Sequence, residues 1–214
     1  MHQQTSKLIF VTRHGRTVAN EQGLVQGADD PLSEHGLHQA HVLANRCTRL
    51  DIDAVVSSPF DRARETAQVV AEALQMPAEV SDLFRERLRP SSLVGLPRDG
   101  SERWTFDQAE REHQDDPQWH YEDEENHFEA HARAKRAQDF LVSHPGRRVL
   151  IVSHNNFIKH LFASMVAPEM TPQQFESFSN FLTTYNTGIS IVSYHENHPV
   201  LPWRLLTLND IAHL

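Results

Sequence analysis

The feature that most constrains this chain is the unbroken apolar run at residues 8–11, LIFV, which leads directly into Thr12-Arg13-His14-Gly15. An apolar run without alternation predicts a strand that is buried on both faces of a sheet. We expect Gly15 to allow a sharp turn after this strand, because glycine tolerates backbone angles that other residues avoid. In open α/β sheets, ligands bind beyond the carboxyl ends of the strands, so Arg13 and His14 are candidate site residues.

Strand and helix patterns alternate along the rest of the chain. Further strands are predicted at residues 54–57, 149–152, 188–194 and 203–208, with a short edge strand at 79–84. Helices are predicted at about 33–49, from Pro59 to 74, at 102–113, at 125–143 and directly after His154. This order predicts an α/β fold, a three-layer sandwich with a mostly parallel central sheet and helices on both faces.

Length and composition predict one domain over residues 1–214, with an insertion at about 90–126 that is rich in proline, glycine and acidic residues. The insertion is either a lid over the site or a solvated surface excursion. Gly36 falls inside the helix predicted at 33–49, where glycine costs about 1 kcal/mol relative to alanine. Close packing of this helix against the loop that carries His14 would justify the glycine.

The charge balance limits the partners of the chain. The formal net charge is −9, with no basic stripe, which argues against nucleic acid and against an anionic membrane surface. No apolar run approaches the roughly 20 residues of a membrane-spanning helix, and the first residues lack the apolar core of a signal peptide. Cys47 is the only cysteine, which fits a reducing compartment, so we expect a cytoplasmic protein.

Basic and histidine side chains follow three of the predicted strands. Arg13 and His14 follow the first strand, Arg62 the second and His154 the strand at 149–152. Parallel strands end at the same edge of a sheet, so these side chains should meet there. A cluster of this kind repels itself unless it binds an anion, and the planar fork of arginine suits phosphate oxygens. Helix N-termini after Pro59 and His154 would add positive potential, so the expected ligand is a phosphoryl group.

A histidine beside a bound phosphoryl group can also react with it. Nearby positive charge lowers the pKa of an imidazole and keeps a lone pair free for attack. Arg13, Arg62 and His154 could neutralise the transferred group, and neither a metal nor another cofactor is required. The leaving oxygen needs a proton, and Glu86 is a candidate donor because it also follows a predicted strand.

Three sequence blocks carry a resemblance to a known family. They are Arg13-His14-Gly15 with Asn20, then Ser57-Ser58-Pro59-Phe60-Asp61-Arg62-Ala63 with Glu65-Thr66-Ala67, and Val152-Ser153-His154. Residues 32–40 also match the pattern of the family's first helix. On these motifs the chain, from residue 8 to about residue 161, resembles the histidine phosphatase superfamily, also called phosphoglycerate mutase-like.

The resemblance implies roles for individual residues. It implies that His14 is the nucleophile that becomes phosphohistidine, and that Glu86 is the acid/base. It implies a phosphate pocket formed by Arg13, Asn20, Arg62 and His154. The chain departs from the family pattern at Arg16, where Glu or Gln is usual, and in the run 87–95, where an aromatic residue and a glycine often follow the glutamate. Both departures lie near the expected entrance, so the substrate is left open.

The expected function is metal-independent hydrolysis of a small phosphorylated metabolite. The first alternative is a phosphoglycerate mutase, which returns the phosphoryl group to the bound substrate. The second is a non-catalytic module that binds phosphorylated partners. Residues 101–129 are mostly acidic, and Arg103 and Arg111 are their only Lys or Arg residues. Such a lid would repel a highly anionic bisphosphate and thereby favour hydrolysis, although salt screens charges beyond about 8 Å.

A metal site is the weaker hypothesis for the remaining histidines. His113, His120, His127 and His131 lie among many carboxylates, and the last two are four residues apart, so they could share a helix face. No tight ligand motif accompanies them, and solvent exposure is the expectation for such residues.

Overall fold

A computed structural model describes residues 6–196 and 202–214. In this part of the chain the strands are β1 (Ser6–Arg13), β2 (Ala54–Ser57), β3 (Ala78–Val80), β4 (Arg148–Ser153), β5 (Ile189–His195) and β6 (Trp203–Asp210). The helices are α1 (Val18–Glu21), α2 (Glu34–Cys47), α3 (Asp61–Leu74), α4 (Ser101–Glu112), α5 (His127–Ser143), α6 (Asn155–Val166) and α7 (Pro172–Phe181). Short 3₁₀ helices lie at Asp82–Phe84 and Ser91–Leu93.

All six described strands form one sheet in the order β3-β2-β4-β1-β5-β6. The pairs β3–β2, β2–β4 and β4–β1 are parallel, whereas β5 runs antiparallel to β1 and β6 antiparallel to β5. Arg13 at the end of β1 pairs with Ser153 at the end of β4, and Ser57 at the end of β2 pairs with Val152. The prediction of a mostly parallel sheet is confirmed, and the ends of three strands meet at one edge.

The strand β1 is buried on both faces, as its apolar run predicts. Ile9 and Val11 join an apolar cluster that includes residues of α5 and α6 on one face of the sheet. Phe10 points to the opposite face and joins a cluster that includes residues of α2 and α3. Two cores on either side of one sheet give the three-layer sandwich that the sequence predicts.

The prediction of an edge strand at 79–84 is wrong beyond Val80. The chain leaves the sheet there and forms the 3₁₀ helix Asp82–Phe84. This turn buries Phe84 completely, against the rings of Phe140 and Phe157. Burial of a large aromatic ring between α5 and α6 outweighs the continuation of a strand at the sheet edge.

The contact between α2 and the loop after β1 depends on two glycines. A Cβ at Gly36 would lie 1.9 Å from the backbone O of Arg16, and one at Gly15 would lie 2.4 Å from the backbone O of Gly36. The expected reason for Gly36, close packing against this loop, is confirmed. The expected reason for Gly15 is wrong, since its φ is not among the positive values. Gly15 is required because α2 packs too closely to leave room for a Cβ, and not because the backbone is left-handed.

Two further observations concern the chain as a whole. No helix in residues 6–196 and 202–214 is both long enough and apolar enough to cross a membrane. The thiol of Cys47 is fully buried, and this burial raises its pKa to about 12. The cysteine therefore acts as a small apolar core residue beneath α2 and is not a reactive thiol.

Candidate active site

His14 follows β1 directly and is only 1% exposed. Its Nδ1 lies 2.6 Å from the backbone O of Gly15. A carbonyl oxygen can only accept, so Nδ1 carries the proton and Nε2 carries the lone pair. The Nε–H of Arg62 donates to this Nε2 at 3.2 Å. The backbone therefore fixes the tautomer of His14 and turns its basic nitrogen toward Arg62.

Three effects keep this imidazole neutral. Burial is the largest, and the positive charges of Arg62 and Arg13 add to it, so the pKa of His14 lies well below its ordinary value of 6.5. A neutral imidazole with a fixed tautomer has the lone pair that attack on phosphorus requires.

His154 follows β4 and is fully buried beside His14, with the two ring centroids 5.1 Å apart. Its Nε2 lies 2.7 Å from Oγ of Ser58, and this Oγ also accepts the backbone N–H of Phe60. The Ser58 hydroxyl can therefore donate its hydrogen to Nε2, which leaves the ring proton on Nδ1. In the described part of the chain, Nδ1 has no hydrogen-bond partner. Burial, followed by the charge of Arg62, lowers the pKa of His154 well below 6.5.

Two arginines supply positive charge next to these rings. Arg62, in the first turn of α3, is 1% exposed and donates from Nη1 to the backbone O of Gly27 at 2.6 Å. Arg13 donates from Nη1 to the backbone O of Thr184 at 3.0 Å. Burial lowers the pKa of each guanidinium to about 10, and the charge of Glu86 opposes this shift. Both arginines therefore remain charged at neutral pH.

Glu86 lines the same cavity as Arg13 and Arg62, which has a volume of about 410 Å³. Its Oε1 accepts the backbone N–H groups of Arg87 (3.0 Å) and Phe157 (2.9 Å), and its Oε2 accepts that of Asn156 at 3.2 Å. The carboxylate thus occupies the N-terminus of α6. Glu86 uses the N–H groups of the second and third residues of α6, and the expected contribution of this helix end to phosphate binding stays a prediction.

Asn20 does not line the cavity itself but contacts Gln26, which does. Its Oδ1 accepts the backbone N–H of Thr17, and its Nδ2 donates to Oε1 of Gln26 at 3.1 Å. Gln26 lines the cavity and also donates to Oγ1 of Thr17. In this arrangement Asn20 holds Gln26 in place, and direct contact of Asn20 with phosphate stays a prediction.

Sequence reasoning missed several residues that position the site. Oγ1 of Thr66 accepts the backbone N–H of Gly15 at 3.0 Å and donates to the backbone O of Arg62. Asn186 donates from Nδ2 to the backbone O of His14 at 2.8 Å. Thr66 lies inside one of the quoted sequence blocks, which could have signalled it. Asn186 carries no such signal, because it reaches the site only through the antiparallel β5.

Half of the acidic run at residues 122–125 is buried: Glu122 and Asp123 are exposed, whereas Glu124 and Glu125 are not. Glu125 is 6% exposed and accepts paired hydrogen bonds from Arg85 (3.0 and 3.1 Å) and from Arg133 (2.8 and 2.6 Å). Glu124 is 4% exposed and pairs with Arg87 at 3.0 Å, and Arg87 also contacts Glu110. Arginines therefore neutralise these two carboxylates, and repulsion of anions by the acidic segment 101–129 stays a prediction.

The cavity wall itself is basic. Six arginines line it, at positions 13, 62, 87, 89, 98 and 103, against two acidic residues, Glu86 and Asp123. A smaller cavity of about 230 Å³ adjoins it, and Arg87, Arg89, Arg103 and Asn156 line both.

The metal hypothesis gains no support from the structure. Within residues 6–196 and 202–214, no group of three or more His, Cys, Asp or Glu side chains could hold a metal ion. His127 and His131 are buried, contrary to the expected exposure, and stack at a centroid distance of 5.7 Å. His160 lies against His127 and stacks on Phe175 at 3.9 Å. These histidines pack α5, α6 and α7 together.

Comparisons with known proteins agree with the geometry. The profile of the histidine phosphatase superfamily (branch 1) matches residues 9–210. A probable 2-carboxy-D-arabinitol-1-phosphatase from Arabidopsis thaliana is 26% identical over 89% of this chain, which spans only 39% of that protein. A probable phosphoglycerate mutase from Yersinia pestis is 29% identical, with 96% of this chain and 94% of that protein covered.

Among solved structures, the Bacillus stearothermophilus protein YhfR has a TM-score of 0.80 and 25% identity, covering 96% of this chain and 98% of its own. The family expected from the motifs is confirmed by the match of its profile. The protein belongs to the histidine phosphatase superfamily (branch 1).

Proposed function

We propose that the protein is a metal-independent phosphomonoesterase that acts on a small phosphorylated metabolite through a phosphohistidine at Nε2 of His14. One observation carries this proposal above the others. The backbone O of Gly15 holds the proton of His14 on Nδ1, while burial and two arginines keep the ring neutral. The lone pair is thus ready beside the guanidinium that would bind the phosphoryl oxygens.

In the first step, Nε2 of His14 attacks phosphorus, an N–P bond forms and the bond to the leaving alcohol breaks. Arg62 and Arg13 neutralise the equatorial oxygens, and Nδ1–H of His154 donates to one of them. The Nε–H of Arg62, which contacts Nε2 in the free enzyme, transfers its hydrogen bond to a phosphoryl oxygen as the substrate enters.

Glu86 completes both steps. It enters the first step protonated and gives that proton to the leaving alkoxide, which departs as an alcohol. In the second step the carboxylate takes a proton from water, whose oxygen attacks phosphorus while the N–P bond breaks. Of its two oxygens, Oε2 accepts the single, longer hydrogen bond, from Asn156 at 3.2 Å, and is the one we assign to the leaving group.

The mutase alternative has a specific observation in its favour, because the basic cavity wall tolerates a highly anionic ligand. The two chemistries share the phosphohistidine and differ in what next reaches it. Hydrolysis is proposed because the cavity is wide and carries Glu86 on its wall, so that a water molecule can be activated there.

The first experiment tests the nucleophile. Protein quenched after incubation with a ³²P-labelled ester is expected to carry a label that is stable in base and labile in acid. His14→Ala should lose both the label and turnover, whereas His38→Ala, at an exposed position of α2, should keep both. Retained turnover in His14→Ala would refute the covalent mechanism.

The second experiment separates hydrolysis from isomerisation. The enzyme is supplied with 3-phosphoglycerate and catalytic 2,3-bisphosphoglycerate, and both 2-phosphoglycerate and inorganic phosphate are followed. We expect phosphate release without a bisphosphate requirement and no change after addition of EDTA. Rapid isomerisation with negligible phosphate release would establish the mutase activity instead.

A further inference from the structure

Three of the arginines on the cavity wall have no task in the proposed chemistry. Arg13 and Arg62 bind the phosphoryl group, and Arg87 is neutralised by Glu110 and Glu124. Arg89, Arg98 and Arg103 remain, all on the wall formed by residues 89–103. A chain whose formal net charge is −9 thus concentrates unused positive charge in this one cavity.

Two of these three side chains, Arg89 and Arg98, are weakly neutralised, whereas Arg103 pairs with a carboxylate. Arg98 donates to the backbone O of Leu24 and to Oε1 of Gln26, and within the described residues it pairs with no carboxylate. Arg89 meets its nearest carboxylate, that of Glu110, only at 3.9 Å, and its buried Nη1 has no hydrogen-bond partner in the described part. Asp107 accepts from Nε of Arg103 at 2.8 Å.

The arrangement holds like charges close together. The guanidinium carbons of Arg89 and Arg103 each lie 5.6 Å from the centroid of the Phe106 ring, so both cations contact one aromatic side chain of α4. Burial has the largest effect on the pKa of Arg89 and of Arg98 and lowers both, and the charge of Arg103 lowers them further. The charge of Arg98 in turn lowers the pKa of Arg13. Such repulsion is relieved when an anion binds between the guanidinium groups.

We propose that Arg89, Arg98 and Arg103 form a second anion subsite, so that the preferred substrates are phosphomonoesters whose alcohol carries a further carboxylate or phosphate. This inference rests on the proposed function, because the first phosphoryl group must lie at His14. It reverses the expectation drawn from the acidic sequence of residues 101–129. Glu110, Glu124 and Glu125 are paired with arginines, and six arginines line the cavity against two acidic residues.

The test uses pairs of esters that differ in one charge. Glycerol 3-phosphate and 3-phosphoglycerate differ in a hydroxymethyl group against a carboxylate, and fructose 6-phosphate and fructose 1,6-bisphosphate differ in a second phosphate. We expect kcat/KM to be about tenfold higher for the more anionic member of at least one pair, and this preference to fall as salt is added. The pair that shows the preference identifies the second anion.

Variants assign the preference to these residues. Arg98→Gln and Arg103→Gln are each expected to lower the ratio of kcat/KM within the preferred pair at least about threefold. Arg111→Gln is the control, because Arg111 lies on the same helix α4, pairs with the exposed Glu176 and does not line this cavity. The proposal of a second subsite would be overturned if both esters of each pair had the same kcat/KM. It would also be overturned if neither variant changed the ratio of kcat/KM within the preferred pair.

A binding measurement separates this inference from the proposed function. Dissociation constants of the same esters for His14→Ala, measured by calorimetry, report the second anion without turnover. If these constants favour the more anionic esters while wild type hydrolyses none, the subsite stands and the hydrolase proposal fails. If hydrolysis through His14 occurs without preference in rate or binding, only the subsite fails.

Discussion

Replacement of Glu125 by glutamine should destabilise the fold more than any other single change in the acidic run. The carboxylate accepts two hydrogen bonds from Arg85 and two from Arg133, which is 2% exposed. An amide offers one acceptor oxygen and turns an NH₂ group toward a guanidinium. Removal of one partner from a buried pair costs about 3–5 kcal/mol, because the other charge is left uncompensated.

The structure places the expected loss at the lower end of that range. Without Glu125, Arg133 still donates to the backbone O of Leu83 (3.0 Å) and of Arg85 (2.8 Å). Its guanidinium carbon also lies 4.4 Å from the ring centroid of Phe157. These contacts continue to stabilise the charge, so we expect a loss of about 3 kcal/mol in the free energy of unfolding.

Urea denaturation at pH 7 measures this loss, and Glu122→Gln is the matched control. Glu122 lies in the same run, is exposed and accepts one hydrogen bond from Ser92, so its substitution should change the free energy by less than about 0.5 kcal/mol. If Glu125→Gln is no worse than the control, the buried pairs contribute no net stability and the reasoning is refuted.

The pH dependence supplies a second check. Burial alone would raise the pKa of Glu125, but hydrogen bonds and charge from Arg133 and Arg85 outweigh burial and lower it from 4.5. A lowered folded-state pKa contributes stability that is present above the unfolded value and is lost as the pH falls. The difference between wild type and variant should thus be complete above pH 4.5 and shrink below it. A difference that grows with acidity would contradict this sign.

Two further substitutions test the site. Glu86→Gln should slow the pre-steady-state release of the alcohol about 100-fold or more for alkyl phosphates and less than about tenfold for activated aryl phosphates, since only the poor leaving group needs a proton; equal slowing of this first step would move the acid role to another residue. Gly36→Ala gains about 1 kcal/mol of helix propensity but forces a Cβ to 1.9 Å from the backbone O of Arg16, so we expect a net loss of stability and a lower kcat. An unchanged melting temperature with unchanged kcat would show that the loop moves aside at no cost.

The sequence predicts well which side chains meet at the candidate site, because their placement depends on local patterns. The runs at β1, β2 and β4 identify buried parallel strands, and parallel pairing alone brings His14, Arg62 and His154 to one edge. Nothing beyond strand type and direction is needed for that conclusion. The roles of these residues in catalysis remain predictions.

The polar surroundings of the site could not be predicted in the same way. Whether Glu124 and Glu125 face water or arginine depends on contacts between segments about 40 residues apart, which no local pattern encodes. The requirement for Gly15 depends on how closely α2 approaches, and a sequence shows only that the residue is a glycine. The charge of a cavity wall depends on which side chains pair with one another, so a count of acidic residues in a segment does not predict it.

The loop that carries the nucleophile is held from the other end of the chain. The backbone O of Arg13 accepts the N–H of Thr187, and that of His14 accepts Nδ2 of Asn186, 172 residues further on. On the ribosome, His14 emerges long before the Asn186 side chain that holds its carbonyl. We therefore expect a nascent chain to remain inactive until residues 184–187 have left the exit tunnel, even after β1, β2 and β4 have paired. Proteolytic release of that segment is likewise expected to abolish the proposed activity, although it removes none of Arg13, His14, Arg62 and His154.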